Sequence, residues 1–114
     1  MKTWRNDLKR IAIVAAAAAF LGTLQVHAAS GREVYESACK ACHETGVANA
    51  PKVGDKPRWV PLVKEGLAEL TDDVIKGKGA MPPKGGRPEL TRGDIGRAIV
   101  YMANRSGAKW KEPK

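Results

Sequence analysis

The sequence predicts an all-α protein with helices at both ends and a loop-rich middle. Two capping signals, at Ser30 and Thr91, each precede a stretch with helical periodicity. The segment between them is rich in glycine and proline and shows no sustained alternation of apolar and polar residues, so no strand is expected. At 114 residues the chain has room for one domain.

Residues 1–28 have the three parts of a secretory signal peptide. Four basic residues precede an apolar, alanine-rich run at 11–24, and Val26-His27-Ala28 supplies a small-residue cleavage pattern. A retained membrane anchor is the alternative, but the apolar run is shorter than the roughly 20 residues that span a bilayer. We therefore expect cleavage near Ala28, export to the periplasm and no permanent membrane anchor, which leaves a mature domain at 29–114.

The mature domain is small and basic. Removing the leader takes away four basic residues and one acidic residue, so the net charge falls from +8 to +5. The single phenylalanine, Phe20, leaves with the leader. A domain of this size rarely folds on so few large apolar side chains without a disulfide, a metal or a cofactor. We expect a bound group to complete the interior.

The first helix is expected over about 31–41, with Ser30 and Glu33 forming a capping box at its start. Residues 44–56 contain two glycines and a proline without a sustained period, which predicts a loop. Pro61 can then open a short helix that ends at about Gly66.

A further short helix is expected to be capped at Thr71 and to end at Gly77. Residues 77–88 hold four glycines and three prolines, so no regular element is expected there. Thr91 begins the last helix, whose apolar residues recur at i, i+3, i+4 and i+7 and whose end is expected near Ser106. Those residues are Ile95, Ala98, Ile99 and Met102. Residues 109–114 are expected to form a polar tail.

Both cysteines of the chain and the only histidine of the mature domain lie together in Cys39-Lys40-Ala41-Cys42-His43. A zinc site normally needs four ligands, and the mature domain has no further Cys or His. A redox dithiol is expected at a helix start within a βαβ pattern, whereas this motif closes a helix. A simple cysteine pair, buried or disulfide-linked, would explain neither the histidine nor the small core.

Haem attachment explains all three side chains, because C-x-x-C-H is its signature. Two thiols about one helical turn apart can reach both vinyl groups on one porphyrin edge. The next residue then lies under the ring, where its imidazole can bind iron. Export agrees with this chemistry, since the attachment is made outside the cytoplasm. We expect one haem c, bound through Cys39 and Cys42 with His43 as an axial ligand.

The mature region resembles the class I c-type cytochromes over essentially its whole length, and within them the small bacterial cytochrome c-five group. The resemblance rests on the haem motif, on the segment 50–56 followed by Trp59, and on Met-Pro-Pro-Lys-Gly-Gly at 81–86. It implies a small monohaem cytochrome c fold, whose N- and C-terminal helices cross around a loop-rich middle.

The same resemblance implies where the terminal helices meet. Gly31 and Tyr35 are expected to contact the last helix near Ile99 and Tyr101.

Met81 is the expected sixth ligand of the iron. The mature domain has two methionines, and Met102 completes the apolar stripe of the last helix, where it is expected to fill the core. Met81 lies in the glycine- and proline-rich loop, and Pro82 and Pro83 stiffen the chain after it. Methionine opposite histidine raises the reduction potential of a haem. The resemblance implies the same ligand.

The resemblance also implies roles at the haem site for two further residues. The family orients its ligating histidine with the carbonyl of a proline shortly after the motif, and Pro51 is the best match. Trp59 is expected either to donate its indole N–H to a haem propionate or to serve as a bulky core wall.

Basic residues flank the Met81 position. They could form a docking face for an acidic redox partner, or they could be ordinary solvated surface. These residues are Lys76, Lys78, Lys84, Arg87 and Arg92. Nucleic acid is not an expected partner, because no aromatic residues interleave with the basic ones and the chain is expected to be exported.

Together these observations predict a soluble periplasmic electron-transfer protein that cycles between Fe(III) and Fe(II) with His/Met ligation. No acid, base or nucleophile constellation is present beyond the haem motif, so no enzymatic activity is expected. One alternative is a haem enzyme or a gas or redox sensor with a labile sixth ligand. Another is an electron-transfer subunit of a larger oxidoreductase.

Overall fold

The computed structural model describes Gly22 and residues 27–114. The expected leader at 1–28 lies almost wholly outside the described residues. Within them the secondary structure is helical, and the extended pairing is limited to a single bridge between Lys78 and Met81. The all-α prediction is confirmed. Among the described helices, none has the length and apolar content needed to cross a membrane.

The described part of the chain contains five α-helices. They are α1 (Gly31–Val34), α2 (Lys40–His43), α3 (Lys56–Glu65), α4 (Leu67–Lys76) and α5 (Arg92–Arg105). A π-helical turn, Tyr35–Cys39, joins α1 to α2, so the first helical segment runs to His43, beyond the predicted end. Short 3-10 turns occur at Val47–Asn49 and Pro83–Gly86.

Both predicted capping boxes are present. The Ser30 hydroxyl accepts a hydrogen bond from the Glu33 amide at 3.2 Å, and the Thr91 hydroxyl accepts one from the Asp94 amide at 3.1 Å. Each acidic side chain accepts the amide of its cap residue in return. The Thr91 amide, as the main cause, holds the pKa of Asp94 below its usual value. These contacts define the starts of α1 and α5.

Helices α1 and α5 pack directly against each other, as the resemblance implies. A side chain on Gly31 would begin only 2.2 Å from the carbonyl oxygen of Arg97, so only glycine fits this contact. The rings of Tyr35 and Tyr101 lie 5.2 Å apart in a tilted arrangement. The predicted contact of Tyr35 with Tyr101 is therefore confirmed, while Gly31 meets the helix at Arg97, before Ile99.

The two middle helices begin earlier than predicted. Helix α3 starts at Lys56, because the Asp55 carboxylate accepts the Arg58 amide, and Pro61 lies inside the helix rather than at its start. Helix α4 starts after Gly66. Thr71 is inside α4 and buried, where its hydroxyl donates to the carbonyl of Leu67 at 2.7 Å. Thr71 is therefore not a cap.

The C-terminal tail is more ordered than predicted. Trp110 packs against the core, and its amide donates to the side chain of Asn104 at 2.7 Å. The Glu112 carboxylate accepts the Gly31 amide at 2.8 Å. The tail therefore covers the place where α1 meets α5.

Candidate functional site

His43 ends α2, and its ring is buried, with 8 % of its surface exposed. Its Nδ1 atom lies 2.9 Å from the carbonyl oxygen of Pro51, which is the hydrogen bond that the family resemblance implies. Because a carbonyl oxygen can only accept, Nδ1 carries the proton and Nε2 of the neutral ring keeps its lone pair. Within the described residues no hydrogen bond engages Nε2, so this atom is available as a ligand.

The loop after α2 is folded back onto His43. Gly46, in a left-handed conformation with φ of 78°, donates its amide to the Cys42 carbonyl at 2.9 Å and ends the helix. The Val53 amide donates to the carbonyl of His43 at 2.8 Å. The histidine is thus held through its ring by Pro51 and through its backbone by Val53.

Trp59 supports this same loop and lies in the core. Its ring is buried in the core at 3 % exposure, and its indole N–H donates to the carbonyl of Lys52 at 3.0 Å. An indole has a single N–H donor. The structure therefore has the alternative of a bulky core residue, and the bond to a propionate stays a prediction. Trp59 braces the loop next to Pro51.

The two cysteines are not bonded to each other and lie in different environments. Cys39 ends the π-helical turn and packs against the core, whereas Cys42 is exposed one turn later. Burial raises the pKa of the Cys39 thiol to about 11. A redox dithiol works through a thiolate whose pKa is lowered. The environment of Cys39 therefore disfavours redox exchange and leaves a neutral thiol beside an apolar surface.

The Met81 loop, residues 77–88, is ordered by its own backbone. The amide and carbonyl of Lys78 pair with those of Met81 at 3.0 and 2.9 Å, which closes a tight turn. The following 3-10 turn contains Lys84 and Gly85 in left-handed conformations, with φ of 56° and 64°. This turn packs against both α4 and the π-helical turn that carries Cys39. The fold therefore joins the Met81 loop to the cysteine-bearing segment.

The domain leaves many apolar side chains partly exposed around its core. The core has no large side chain that is completely buried among the described residues, and many apolar side chains pack on it while remaining half exposed. They include Val53, Leu62, Val63, Leu67, Val74, Ile75 and Leu90. A haem joined to Cys39 and Cys42 would cover apolar surface of this kind, and Nε2 of His43 would be the atom that binds its iron. The residues present fit a haem c.

A metal site of another kind is not supported by the donor set. Within residues 27–114 no three side chains of His, Cys, Asp or Glu are placed to hold one metal ion. The thiols and the imidazole of the motif are consistent with a haem rather than with a closed zinc site.

The basic residues beside the Met81 loop are largely paired with carboxylates, which the sequence did not indicate. Nitrogen–oxygen distances are 3.2 Å for Lys78–Asp73, 2.5 Å for Arg87–Glu89 and 2.6 Å for Arg92–Asp72. Lys76 and Lys84 form no salt bridge in the described part of the chain. The positive charge of this rim is therefore smaller than the count of basic residues suggests.

One contact at the site has no local sequence signal. Arg87 donates to the carbonyl oxygen of Ser37 at 3.0 Å across 50 residues of chain. Sequence analysis placed Arg87 only in a basic run and did not single out Ser37. Neither helical period nor motif spacing could pair them, because the contact exists only once the loop has folded against the π-helical turn.

Comparisons with known proteins agree with this site. A family model described as "Cytochrome C oxidase, cbb3-type, subunit III" matches residues 26–102. The chain is 45 % identical over 83 residues to cytochrome c-555 of Chlorobaculum thiosulfatiphilum, an alignment covering 69 % of this chain and 96 % of that protein. It is 41 % identical over 78 residues to cytochrome c5 of Azotobacter vinelandii, covering 67 % and 94 %.

Two solved structures are similar in both sequence and shape. One is a chain in the crystal structure of an electron transfer complex of nitrite reductase with cytochrome c, with 46 % identity, a TM-score of 0.64 and coverage of 67 % of this chain and 93 % of that one. The other is a mono-heme ferrocytochrome c from Shewanella putrefaciens, with 35 % identity, a TM-score of 0.61 and coverage of 68 % and 95 %. Identity at this level extends the likeness beyond the fold alone.

Proposed function

Because the chain belongs to the class I c-type cytochromes, which carry covalently bound haem c, we propose that it is an exported carrier of single electrons with His/Met axial ligation. Its small size and helical fold are those of an electron-carrying cytochrome c. The observation that carries the proposal is the arrangement at His43, which directly follows Cys42: Pro51 fixes Nδ1, and no hydrogen bond within residues 27–114 engages Nε2.

In this proposal each residue has a defined task. Cys39 and Cys42 would hold the cofactor by thioethers, His43 and Met81 would bind its iron, and Pro51 would orient the imidazole ring. When bound, the haem supplies a one-electron couple whose potential methionine ligation raises. Rigid ligands at both axial positions keep the reorganisation that accompanies each electron small.

A ligand loop closed by its own hydrogen bonds supports an electron carrier over the alternative of a haem enzyme or gas sensor. The backbone pairing of Lys78 with Met81 would hold the methionine in place, whereas a labile sixth position would require a loop that opens easily. We further propose that residues 1–28 are removed on export to the periplasm and that 29–114 form the mature cytochrome domain.

The first prediction tests the cofactor and its attachment. Protein purified from the periplasmic fraction is expected to keep its haem through acid-acetone extraction and through a denaturing gel, because thioether bonds survive both treatments. Its N-terminus is expected near Ala29, and a redox titration is expected to follow a one-electron curve. Haem that leaves the chain under either treatment would contradict the attachment through Cys39 and Cys42.

The second prediction concerns the partner face. A structural relative occurs in an electron transfer complex of nitrite reductase with cytochrome c, and we propose that this chain also meets redox proteins through a positively charged rim. Lys76 and Lys84 are the two rim residues that form no salt bridge within the described part of the chain. Replacing both by Glu is expected to slow oxidation by ferricyanide at low salt, because the reagent is an anion that positive charge attracts.

The matched control places the same change in charge on the C-terminal tail, with Lys109 and Lys111 replaced by Glu. The tail variant is expected to slow the reaction less, and raised salt is expected to remove the difference, because charges more than about 8 to 10 Å apart are screened at physiological ionic strength. Equal rates for the two double variants at every salt concentration would mean that the rim has no special role.

A further inference from the structure

Arg87 uses two edges of its guanidinium group. Nη1 donates to the carbonyl oxygen of Ser37 at 3.0 Å, and Nε donates to the carboxylate of Glu89 at 2.5 Å. Glu89 belongs to the same end of the loop as Arg87, so this pair orients the guanidinium. Because the guanidinium group is planar and rigid, the edge that carries Nη1 then faces the π-helical turn.

The backbone of the Met81 loop brings Arg87 to this position. Three consecutive residues before it, Lys84, Gly85 and Gly86, have φ values of 56°, 64° and 82°. This left-handed curl turns the chain toward the π-helical turn, and a side chain on Gly85 would begin 3.5 Å from the carbonyl oxygen of Ala38. The loop and the cysteine-bearing segment are therefore in close backbone approach.

Arg87 is the point at which the Met81 loop is attached to that segment. Among the described residues, it makes the one side-chain hydrogen bond between 77–88 and the helical segment 31–43. The other hydrogen bonds of the loop are internal, such as Met81 with Lys78 and the Gly85 amide with the carbonyl of Pro82 at 3.0 Å, or go to α4 and to the residues just after the loop, such as Lys78 to Asp73. Removing the guanidinium would leave the loop folded on itself but no longer fastened to the π-helical turn.

We propose that Arg87 is a positioning residue that clasps the Met81 loop to the segment carrying Cys39 and thereby keeps the sixth ligand on the haem iron. The inference rests on the proposed ligand role of Met81. Cys39 and Met81 would bind the same haem from two segments distant in sequence, and the Arg87–Ser37 bond ties those segments together. Breaking it raises the fraction of molecules in which Met81 has left the iron.

The test uses the ferric holoprotein and cyanide as a probe of the sixth position. Cyanide binds only where Met81 has been displaced, so its affinity reports the ease of loop opening. R87A is expected to bind cyanide about tenfold more tightly than the unchanged protein, since a hydrogen bond from a charged group is lost. Amide hydrogen exchange at Met81 and Gly85 is expected to become faster in the same variant.

R92A is the matched control. Arg92 is also exposed and paired, with Asp72, but it lies at the start of α5 outside the Met81 loop. R92A removes the same charge and is expected to leave both cyanide affinity and exchange in the loop unchanged. Equal cyanide affinity in R87A and R92A would overturn the proposal. If R87A fails to retain haem, E89Q serves instead. This variant keeps the guanidinium of Arg87 but weakens the ion pair that orients it. Tighter cyanide binding in E89Q supports the clasp, and unchanged binding overturns it.

The failure of the clasp can be told apart from the failure of the ligand assignment. If M81A and the unchanged protein bind cyanide equally, Met81 is not the ligand and the ligation part of the proposed function is wrong. If M81A opens the iron but R87A accelerates only amide exchange, the ligation stands and the positioning role of Arg87 is overturned.

Discussion

The G31A variant is expected to lose about 3 kcal/mol of stability or more, at or beyond the upper end of the usual range for overpacked cores. The methyl group would begin 2.2 Å from the carbonyl oxygen of Arg97, so the backbones of α1 and α5 would have to separate. The Gly31 amide also donates to the Glu112 carboxylate at 2.8 Å, and separating the two helices would strain that hydrogen bond as well. A small domain has little stability to lose, so the effect is a large fraction of the total.

Thermal unfolding of the holoprotein, followed by far-ultraviolet circular dichroism, measures this effect. A loss of this size corresponds to a midpoint lowered by at least about 12 °C in a domain of fewer than a hundred residues. G96A is the matched control, because Gly96 is also buried in the α1–α5–tail region, on α5. A side chain there would meet only Pro113 at 3.5 Å and Thr71 at 3.9 Å, which are ordinary contacts.

The unfolding midpoint of G96A is expected to lie near that of the unchanged protein, because the new methyl group has room and alanine has a better helix propensity than glycine. Equal midpoints for G31A and G96A would show that the close approach of α1 to α5 is not a constraint on the fold.

The M81A variant is expected to lose the sixth ligand. Its reduction potential should fall, because methionine ligation raises the potential of a His-ligated haem. The ferric protein should also bind cyanide at least about 100-fold more tightly, equal to about 2.8 kcal/mol, since no internal ligand competes. The long-wavelength charge-transfer band of a ferric His/Met haem should disappear. Visible spectra, a redox titration and a cyanide titration measure the three effects.

M102A is the matched control for the loss of a methionine. Met102 is 4 % exposed and belongs to the core cluster on α5, beside Ile99 and Ala103. Its truncation is expected to leave the spectrum and potential unchanged while lowering stability by about 2 to 5 kcal/mol, the range for such core truncations. A low-spin spectrum lost in M102A and kept in M81A would reverse the ligand assignment.

The sequence alone determined the parts of this protein that depend on residues close together in the chain. The capping boxes at Ser30 and Thr91 join residues three positions apart, and the structure has both. The apolar stripe of α5 likewise predicted a buried helix face that includes Met102. The C-x-x-C-H motif lies within five consecutive residues, so it also predicted the haem c from the sequence.

The tertiary structure decided the contacts made across long stretches of chain. Glu112 accepts the Gly31 amide across 81 residues, and Arg87 reaches Ser37 across 50. The sequence left open whether the single N–H of Trp59 meets a cofactor or the protein, and in the folded structure it donates to the carbonyl of Lys52. Thr71 resembled a cap because a polar residue followed by aspartates commonly is one, but packing buried it inside α4.

These outcomes have one physical reason. Capping hydrogen bonds and helical periodicity involve residues only a few positions apart, so they can be predicted from the sequence. Which carbonyl or carboxylate meets a given donor over a long separation depends on how the helices pack and on which polar groups must be satisfied as they become buried. The basic rim illustrates the difference: the sequence shows five cations around Met81, and only the fold brings Asp72 and Asp73 close enough to neutralise two of them.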